Sequence, residues 1–274
     1  MANYFTGWAG LQLFYSCQKS KIAAKGVVII AHGYGEHSGR YNHFVDYLTE
    51  EGFTVYAFDH RGHGKSEGFR ADVVRFTDYV KDLATFVDLV LLEEPTLPLF
   101  LFGQSTGAVI VTIYAAEHKE KIRGLITSAI YIKDPEKYDP ILVKIAPIAN
   151  FFFPLLPVQE LNPGRQSKDP EVIEAFKADP LCYNGRVRVR MGVHFLNMSK
   201  YIVPVLPKVS APALILHGGS DLLASPESSR IVYEGIVSED KTLRIFDGLY
   251  HELLNEPEKA DVMEEIGGWI KSRV

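Results

Sequence analysis

The sequence predicts an α/β fold, with a mostly parallel, doubly wound central sheet flanked by helices. Three observations carry this expectation. Short apolar runs recur without the polar alternation of a half-exposed strand, as expected of strands covered on both faces. Amphipathic patterns of helical period lie between them. A single stretch, residues 131–205, interrupts that rhythm with prolines, the run "FFF" and the basic stretch "GRVRVR".

The elements follow in order. "VVIIA", Val27 to Ala31, is the first buried strand, and Tyr41, Phe44, Val45 and Leu48 form the apolar stripe of the helix after it. "TVYAF", Thr54 to Phe58, is the next strand, followed by a helix carrying Phe76, Val80, Leu83, Val87 and Val90 on one face. "LFLF", Leu99 to Phe102, leads through Ser105 into the helical "TGAVIVTIYAAEH"; "GLITS", Gly124 to Ser128, is a further strand. Residues 131–205 then read as an inserted helical cap, the alternative being two more strand–helix units with weak patterning. The core resumes with "ALILH", Ala213 to His217, and the strand-like "KTLRIF", and closes with Val262, Ile266, Trp269 and Ile270 at helical spacing. The expected division is a core of residues 1–130 and 206–274 around a cap of 131–205.

A chain of 274 residues suffices for one large domain, or for a core carrying an insertion. With 47% hydrophobic and 23% charged residues it has ordinary globular composition. The net charge of −5, and the lack of a basic run interleaved with aromatics, exclude a nucleic-acid partner. Cys17 and Cys182 are too few for a disulfide framework and match no metal spacing. The N-terminal stretch lacks the pattern of a secretory signal. The most apolar window, "ILVKIAPIANFFFPLL" over residues 141–156, is short for a bilayer span and is cut by Pro147 and Pro154. A soluble, cytoplasmic protein is expected.

The chemistry gathers at "GQSTG". Ser105 follows a buried strand and opens a helix, the setting of a strained turn that lifts a nucleophile above the sheet edge. Gly103 and Gly107 fit because side chains there would collide with the neighbouring strand and helix. The alternative is a plain helix cap. A serine needs a base and the base an orienting acid, in the chain order Ser, acid, His. Of the histidines beyond Ser105, only His251 in "DGLYHELLNE" follows the best acid, Asp221 in "LHGGSD". Asp247 is a rival acid, but only three residues separate it from His251 and it reads as a turn residue. The glycine-rich "AHGYGEHSGRY" after the first strand can aim a backbone N–H at an oxyanion, and the N–H after the nucleophile supplies the second, so the donors are assigned to Tyr34 and Thr106. His32, Glu36 and His37 do not have zinc-site spacing, "RGHGKS" lacks the first glycine of a phosphate loop, and "HGYGEHS" lacks the third of a dinucleotide site. No metal and no cofactor is implied.

Taken together, "HGYGEHSGRY", "DHRGHGKSEG", "GQSTG", "DPLCYNGRVRVRMG", "HGGSD" and "YHELLNE" resemble, in order and collinearly, the monoacylglycerol lipase and lysophospholipase family of α/β-hydrolases. The resemblance runs from about Gly26 to Trp269 and includes the cap. It implies the α/β-hydrolase fold, a serine hydrolase acting on an acyl ester of glycerol, and an apolar cap making peripheral contact with membranes. Ser105, Asp221 and His251 match the family triad, and Tyr34 and Thr106 its oxyanion donors. Glu36 and Arg40 match residues near the glycerol-facing end, the alternative being that they brace the oxyanion loop. Gln104 and Thr106 replace the histidine and methionine usual on either side of the nucleophile. Phe176 stands where the mammalian enzyme has a glycerol-contacting tyrosine, and Leu254 where it has a second histidine. Both changes remove polar partners, so weak head-group selectivity is expected. The expected function is cleavage of monoacylglycerols to fatty acid and glycerol through an acyl-enzyme. The alternatives are a lysophospholipase or broad carboxylesterase, and, from another class, a hydrolase-derived receptor with little turnover.

Overall fold

The computed structural model describes residues 3–132 and 140–274. It contains an eight-stranded sheet in the order β1-β2-β4-β3-β5-β6-β9-β10. β1 (Asn3–Thr6) and β2 (Gln12–Gln18) form an antiparallel pair that joins the sheet through β4. β3 (Gly26–Ala31), β4 (Phe53–Phe58), β5 (Leu99–Gln104) and β6 (Gly124–Ser128) run parallel, with α1 (Asn42–Glu50), α2 (Thr77–Glu93) and α3 (Thr106–Glu117) in the crossovers. All residues of these four strands are buried, which is why they lack polar alternation.

Then comes the insertion: α4 (Pro140–Phe152), β7 (Pro157–Glu160), α5 (Pro170–Ala178), β8 (Arg186–Arg188), α6 (Val189–Leu196) and α7 (Met198–Ile202). Among its described residues the elements are mostly helical, and β7 and β8 pair as a small antiparallel ribbon. Met198, Ile202 and Leu206 join the apolar layer around α3. The core resumes with β9 (Ala213–Gly218), α8 (Glu227–Gly235), β10 (Lys241–Phe246) and α9 (Lys259–Lys271).

Two apolar layers sandwich the sheet. On one face α2 and α3 pack on Val27, Ile29, Leu101 and Ile215; on the other α1 and α9 pack on Val28, Ile30, Phe102 and Leu214. α3 is buried along Thr106–Ala115, an all-round apolar helix between the sheet and other helices. This winding brings the carboxyl ends of β3, β5, β9 and β10 to one edge, where an open α/β sheet presents its crevice. No helix of the described residues is long and apolar enough to cross a membrane.

Candidate active site

At the end of β5 the backbone of Ser105 has φ 52° and ψ −112°, a conformation that L-residues rarely adopt. The surrounding structure holds it there. The Ser105 N–H donates to Ser128 O at 2.8 Å. A Cβ on Gly103 would come within 2.5 Å of Gly107 O, and one on Gly107 within 2.1 Å of Ala31 O. Both glycines are therefore required by contact with backbone, as expected from the sequence. Thr106 opens α3, so its N–H has no carbonyl one helical turn earlier to bond.

Tyr34 lies just beyond β3, on a loop clamped at several points. Gly33 N–H donates to Glu36 Oε1 at 2.6 Å, and the Tyr34 hydroxyl donates to Ala71 O at 2.9 Å. His32 Nδ1 bonds Gly33 O at 2.7 Å, while its Nε2 accepts from His60 N–H at 3.0 Å. His60 Nε2 in turn bonds His32 O at 2.9 Å. Burial holds both imidazoles well below the ordinary histidine range, His60 down to about 3. They are neutral, fixed braces.

The loops after β9 and β10 bring Asp221 and His251 together. His251 Nδ1 donates to Asp221 Oδ2 at 2.7 Å, with both side chains buried. Asp221 Oδ1 accepts from the Leu223 and Ala224 N–H groups at 2.7 and 3.0 Å. Burial opposes the Asp221 charge, but His251 and His217 outweigh it and hold the carboxyl below the usual carboxylate range. Burial likewise opposes protonation of His251, yet the Asp221 charge, helped by Glu252 and Glu36, raises it above its ordinary value. Asp247, the rival acid, lies exposed in the turn after β10 and has no bond to His251. Ser105 and His251 line the same cavity without a direct hydrogen bond, a looseness common until substrate is in place.

Next to the base sits a buried charge network. Arg40 grips Glu252 with two bonds of 2.7 Å and Glu36 Oε2 at 3.0 Å. Tyr41 donates to Glu36 Oε1 at 2.8 Å and Asn255 to Glu252 Oε2 at 2.9 Å. Burial raises the Glu36 pKa; burial also opposes the Glu252 charge, but Arg40 overrules it and lowers that pKa. The network ties the loop after β3 to the His251 loop.

A cavity of about 500 Å³ opens over these groups, within the ~300–1,000 Å³ typical of small-molecule sites. Tyr34, Ser105, Thr106, His251, Glu36 and Glu252 line one part of it; Tyr131, Leu161, Val187, Phe195, Leu222 and Leu223 give the rest an apolar wall. Ser105, His251, Tyr34, Thr106 and an apolar wall thus converge on one cavity.

The family model for serine aminopeptidases, S33, matches residues 22–258. The chain belongs to that family of hydrolases. A monoacylglycerol lipase of Mycolicibacterium smegmatis is 34% identical over 98% of this chain and 96% of its own length. The human monoglyceride lipase is 33% identical over 96% of this chain and 88% of its own length. A solved monoacylglycerol lipase of Paleococcus ferrophilus superposes with a TM-score of 0.84 at 31% identity, covering 96% of this chain and 99% of that one. The fold is that of the α/β-hydrolases, and the protein is a serine hydrolase.

In this serine hydrolase, Phe176 does not line the cavity. It is buried beneath Arg40, whose guanidinium lies 5.0 Å above its ring. Leu254 also lies outside the lining, packed in the apolar layer of α1 and α9, with its carbonyl accepting from His43 at 2.6 Å. Gln104, read only as a departure from the family, donates to His251 O at 2.9 Å and so anchors the base loop. His37, Asp179 and Cys182 bring potential ligand atoms within 4.8 Å of one another. His37 Nε2 bonds Asp179 at 2.9 Å while its Nδ1 accepts from Gly39, and burial pushes the Cys182 thiol up to about 12. The His37–Asp179 bond ties the loop after β3 to the end of α5. His217, Gln104 and Glu252 escape sequence reading because nothing in their local pattern says what they face across the fold.

Proposed function

We propose that this hydrolase cleaves monoacylglycerols to fatty acid and glycerol. The observation that carries the reading is the 2.7 Å bond from His251 to Asp221 on a cavity shared with the strained Ser105. His251 takes the Ser105 proton as Oγ attacks the ester carbonyl, and the Tyr34 and Thr106 amides receive the oxyanion. The acyl–oxygen bond breaks, and His251 returns the proton to the leaving alcohol. Water, deprotonated by the same base, then releases the fatty acid and restores Ser105. Glu36 and Arg40 brace the loop that carries Tyr34. An ester suits the site better than a peptide with a free amino end. The two carboxylates that line the cavity, Glu36 and Glu252, are already engaged by Arg40, leaving neither to hold an α-ammonium.

The cap, taken as residues 131–205, supplies most of the apolar wall and a lipid-facing surface. Along 141–156 the side chains of Ile148, Phe151, Phe152 and Phe153 are all exposed, with Phe151 80% accessible. Contiguous apolar surface of this kind marks a binding face, here for the bilayer or micelle that delivers the substrate.

A second reading, a lysophospholipase, is favoured by Arg165. It lines the cavity, is exposed, and pairs with no acid among the described residues, so it is available to a phosphate. The test is kcat/KM for one acyl chain on glycerol, methanol and glycerophosphocholine. The glycerol ester should outperform the glycerophosphocholine ester; the reverse order would establish the second reading.

A further inference from the structure

Tyr34 stands between two glycines, Gly33 and Gly35, the latter with φ 82°. Backbone of that kind has little stiffness of its own, so the position of the Tyr34 amide depends on what its neighbours and its one side chain grip. On one side the cap grips it. Tyr183 N–H donates to Gly35 O at 2.7 Å, and the rings of Phe195 and Tyr183 lie edge-on to that of Tyr34 at 5.1 and 6.3 Å. On the other side the core does, as the Tyr34 hydroxyl donates to Ala71 O at 2.9 Å.

Ala71 is itself held at φ 49°, a conformation rare for a residue with a side chain, so its surroundings must impose it. Its N–H donates to Gly62 O at 2.8 Å within the loop after β4. Both its chain neighbours are fastened to the cap. Arg70 O accepts from the Arg188 guanidinium, while the Arg70 guanidinium donates to Leu181 O. Asp72 is buried and holds Arg190 in an ion pair, Arg190 Nε donating to Oδ2 at 3.0 Å and to Oδ1 at 3.3 Å. Arg190 and Phe195 both belong to α6, so that helix is fastened to the core one residue from Ala71 and packs on Tyr34 further along. The stretch "DPLCYNGRVRVRMG", which the chemistry at Ser105 leaves unused, supplies Leu181, Tyr183, Arg188 and Arg190 to this attachment.

We infer that Asp72 is a positioning residue for the oxyanion site: by anchoring Arg190 it seats Ala71, and Ala71 O, through the Tyr34 hydroxyl, sets where the Tyr34 amide points. The inference rests on the ester-hydrolase reading, in which that amide receives the oxyanion, and adds that the seating of the cap governs the chemical step. Misplacing a group at the reacting centre by about 1 Å costs on the order of 10²-fold in rate, so a fault several bonds away is read in kcat. Asp72 does not line the cavity, and so has no contact through which to alter substrate binding directly.

The experiment measures kcat and KM on the glycerol monoester of octanoic acid below its aggregation concentration. It also measures Ki for an octyl trifluoromethyl ketone, whose adduct with Ser105 carries an oxyanion. The proteins are the wild type, Tyr34→Phe, which keeps the ring and the amide without the hydroxyl, Asp72→Ala, Asp72→Asn, which keeps an acceptor for Arg190, and the double variant Tyr34→Phe with Asp72→Ala. Tyr34→Phe and Asp72→Ala should each lower kcat about tenfold, as expected for one net hydrogen bond, with KM nearly unchanged. Binding of the ketone should weaken by the same factor, and Asp72→Asn should recover most of the loss. The double variant should lose no more than the worse single variant, because both changes cut one chain of contacts. Losses that multiply in the double variant overturn the inference, as does a loss carried by KM with the ketone unaffected. An unchanged kcat in Tyr34→Phe overturns it as well, whether or not Asp72→Ala folds; in each of these cases the hydrolase reading stands. A wild type that cleaves no ester and binds no ketone overturns that reading, and this inference with it.

Discussion

His217 Nε2 lies 3.1 Å from Asp221 Oδ2, the same oxygen that accepts from His251 Nδ1 at 2.7 Å. The Ser229 hydroxyl is 2.7 Å from His217 Nδ1, and Ala224 O is 3.1 Å from its Nε2. Two carbonyl or carboxylate acceptors at Nε2 place the proton there, so Ser229 donates to Nδ1 and fixes the tautomer. Two imidazoles therefore converge on one carboxylate oxygen, and His217 helps hold the carboxylate that bonds His251. Replacing His217 by Leu should lower kcat/KM about 10- to 100-fold, the range for a hydrogen bond to a charged group. His217→Gln, which keeps a donor near the position of Nε2, should recover much of that loss. Equal losses in both variants, at equal thermal stability, would show that His217 only fills space.

The charges around His251 set the acid limb of the pH profile. The base works only when neutral, so kcat/KM falls as the pH drops through the His251 pKa of the free enzyme. That pKa is raised, because the Asp221 charge outweighs burial and Glu252 and Glu36 add to it. The acid limb should therefore lie above the ordinary histidine value. In Glu252→Gln one negative neighbour is gone and Arg40 faces Glu36 alone, so the limb should move to lower pH. A limb that stays in place or moves up contradicts the assignment of His251 as the titrating base.

The apolar face of α4 and the turn after it should matter at lipid surfaces and little elsewhere. Phe152 is 65% exposed and Leu155 43%, so neither has much packing to lose. Phe152→Ser and Leu155→Ser should reduce activity on vesicle-borne monoacylglycerol several-fold more than on a soluble ester. Parallel losses on both substrates would indicate a packing role instead.

The core was legible in the sequence because parallel strands buried on both faces leave an uninterrupted apolar run, as in "VVIIA" and "LFLF". β1 and β2 were not, since an edge hairpin mixes exposed and buried residues: in "QLFYSCQ" only Leu13 is fully buried. The Ser105 turn announced itself through Gly103 and Gly107, because backbone lies where their Cβ atoms would be. Asp221 could be preferred to Asp247 by its place after a strand, and Asp221 is the carboxylate bonded to His251. The long-range partners left no such signal. Gln104 and His251 are 147 residues apart, and Arg40 and Glu252 are 212 apart. Their contacts depend on which strand ends the winding brings together, and no local period encodes that. Phe176 shows the converse, since a matching position in a related chain does not say whether the side chain reaches the cavity or packs beneath an arginine.

The central claim is that monoacylglycerol turnover passes through Ser105, and active-site titration with a fluorophosphonate tests it most directly. Labelling should proceed to one adduct per chain, mapped to Ser105 by peptide mass, with monoacylglycerol hydrolysis lost in step with the label. Ser105→Ala should take no label, and its kcat should fall by on the order of 10⁶. Full turnover by the fully labelled protein, or an adduct on any residue other than Ser105, would contradict the account.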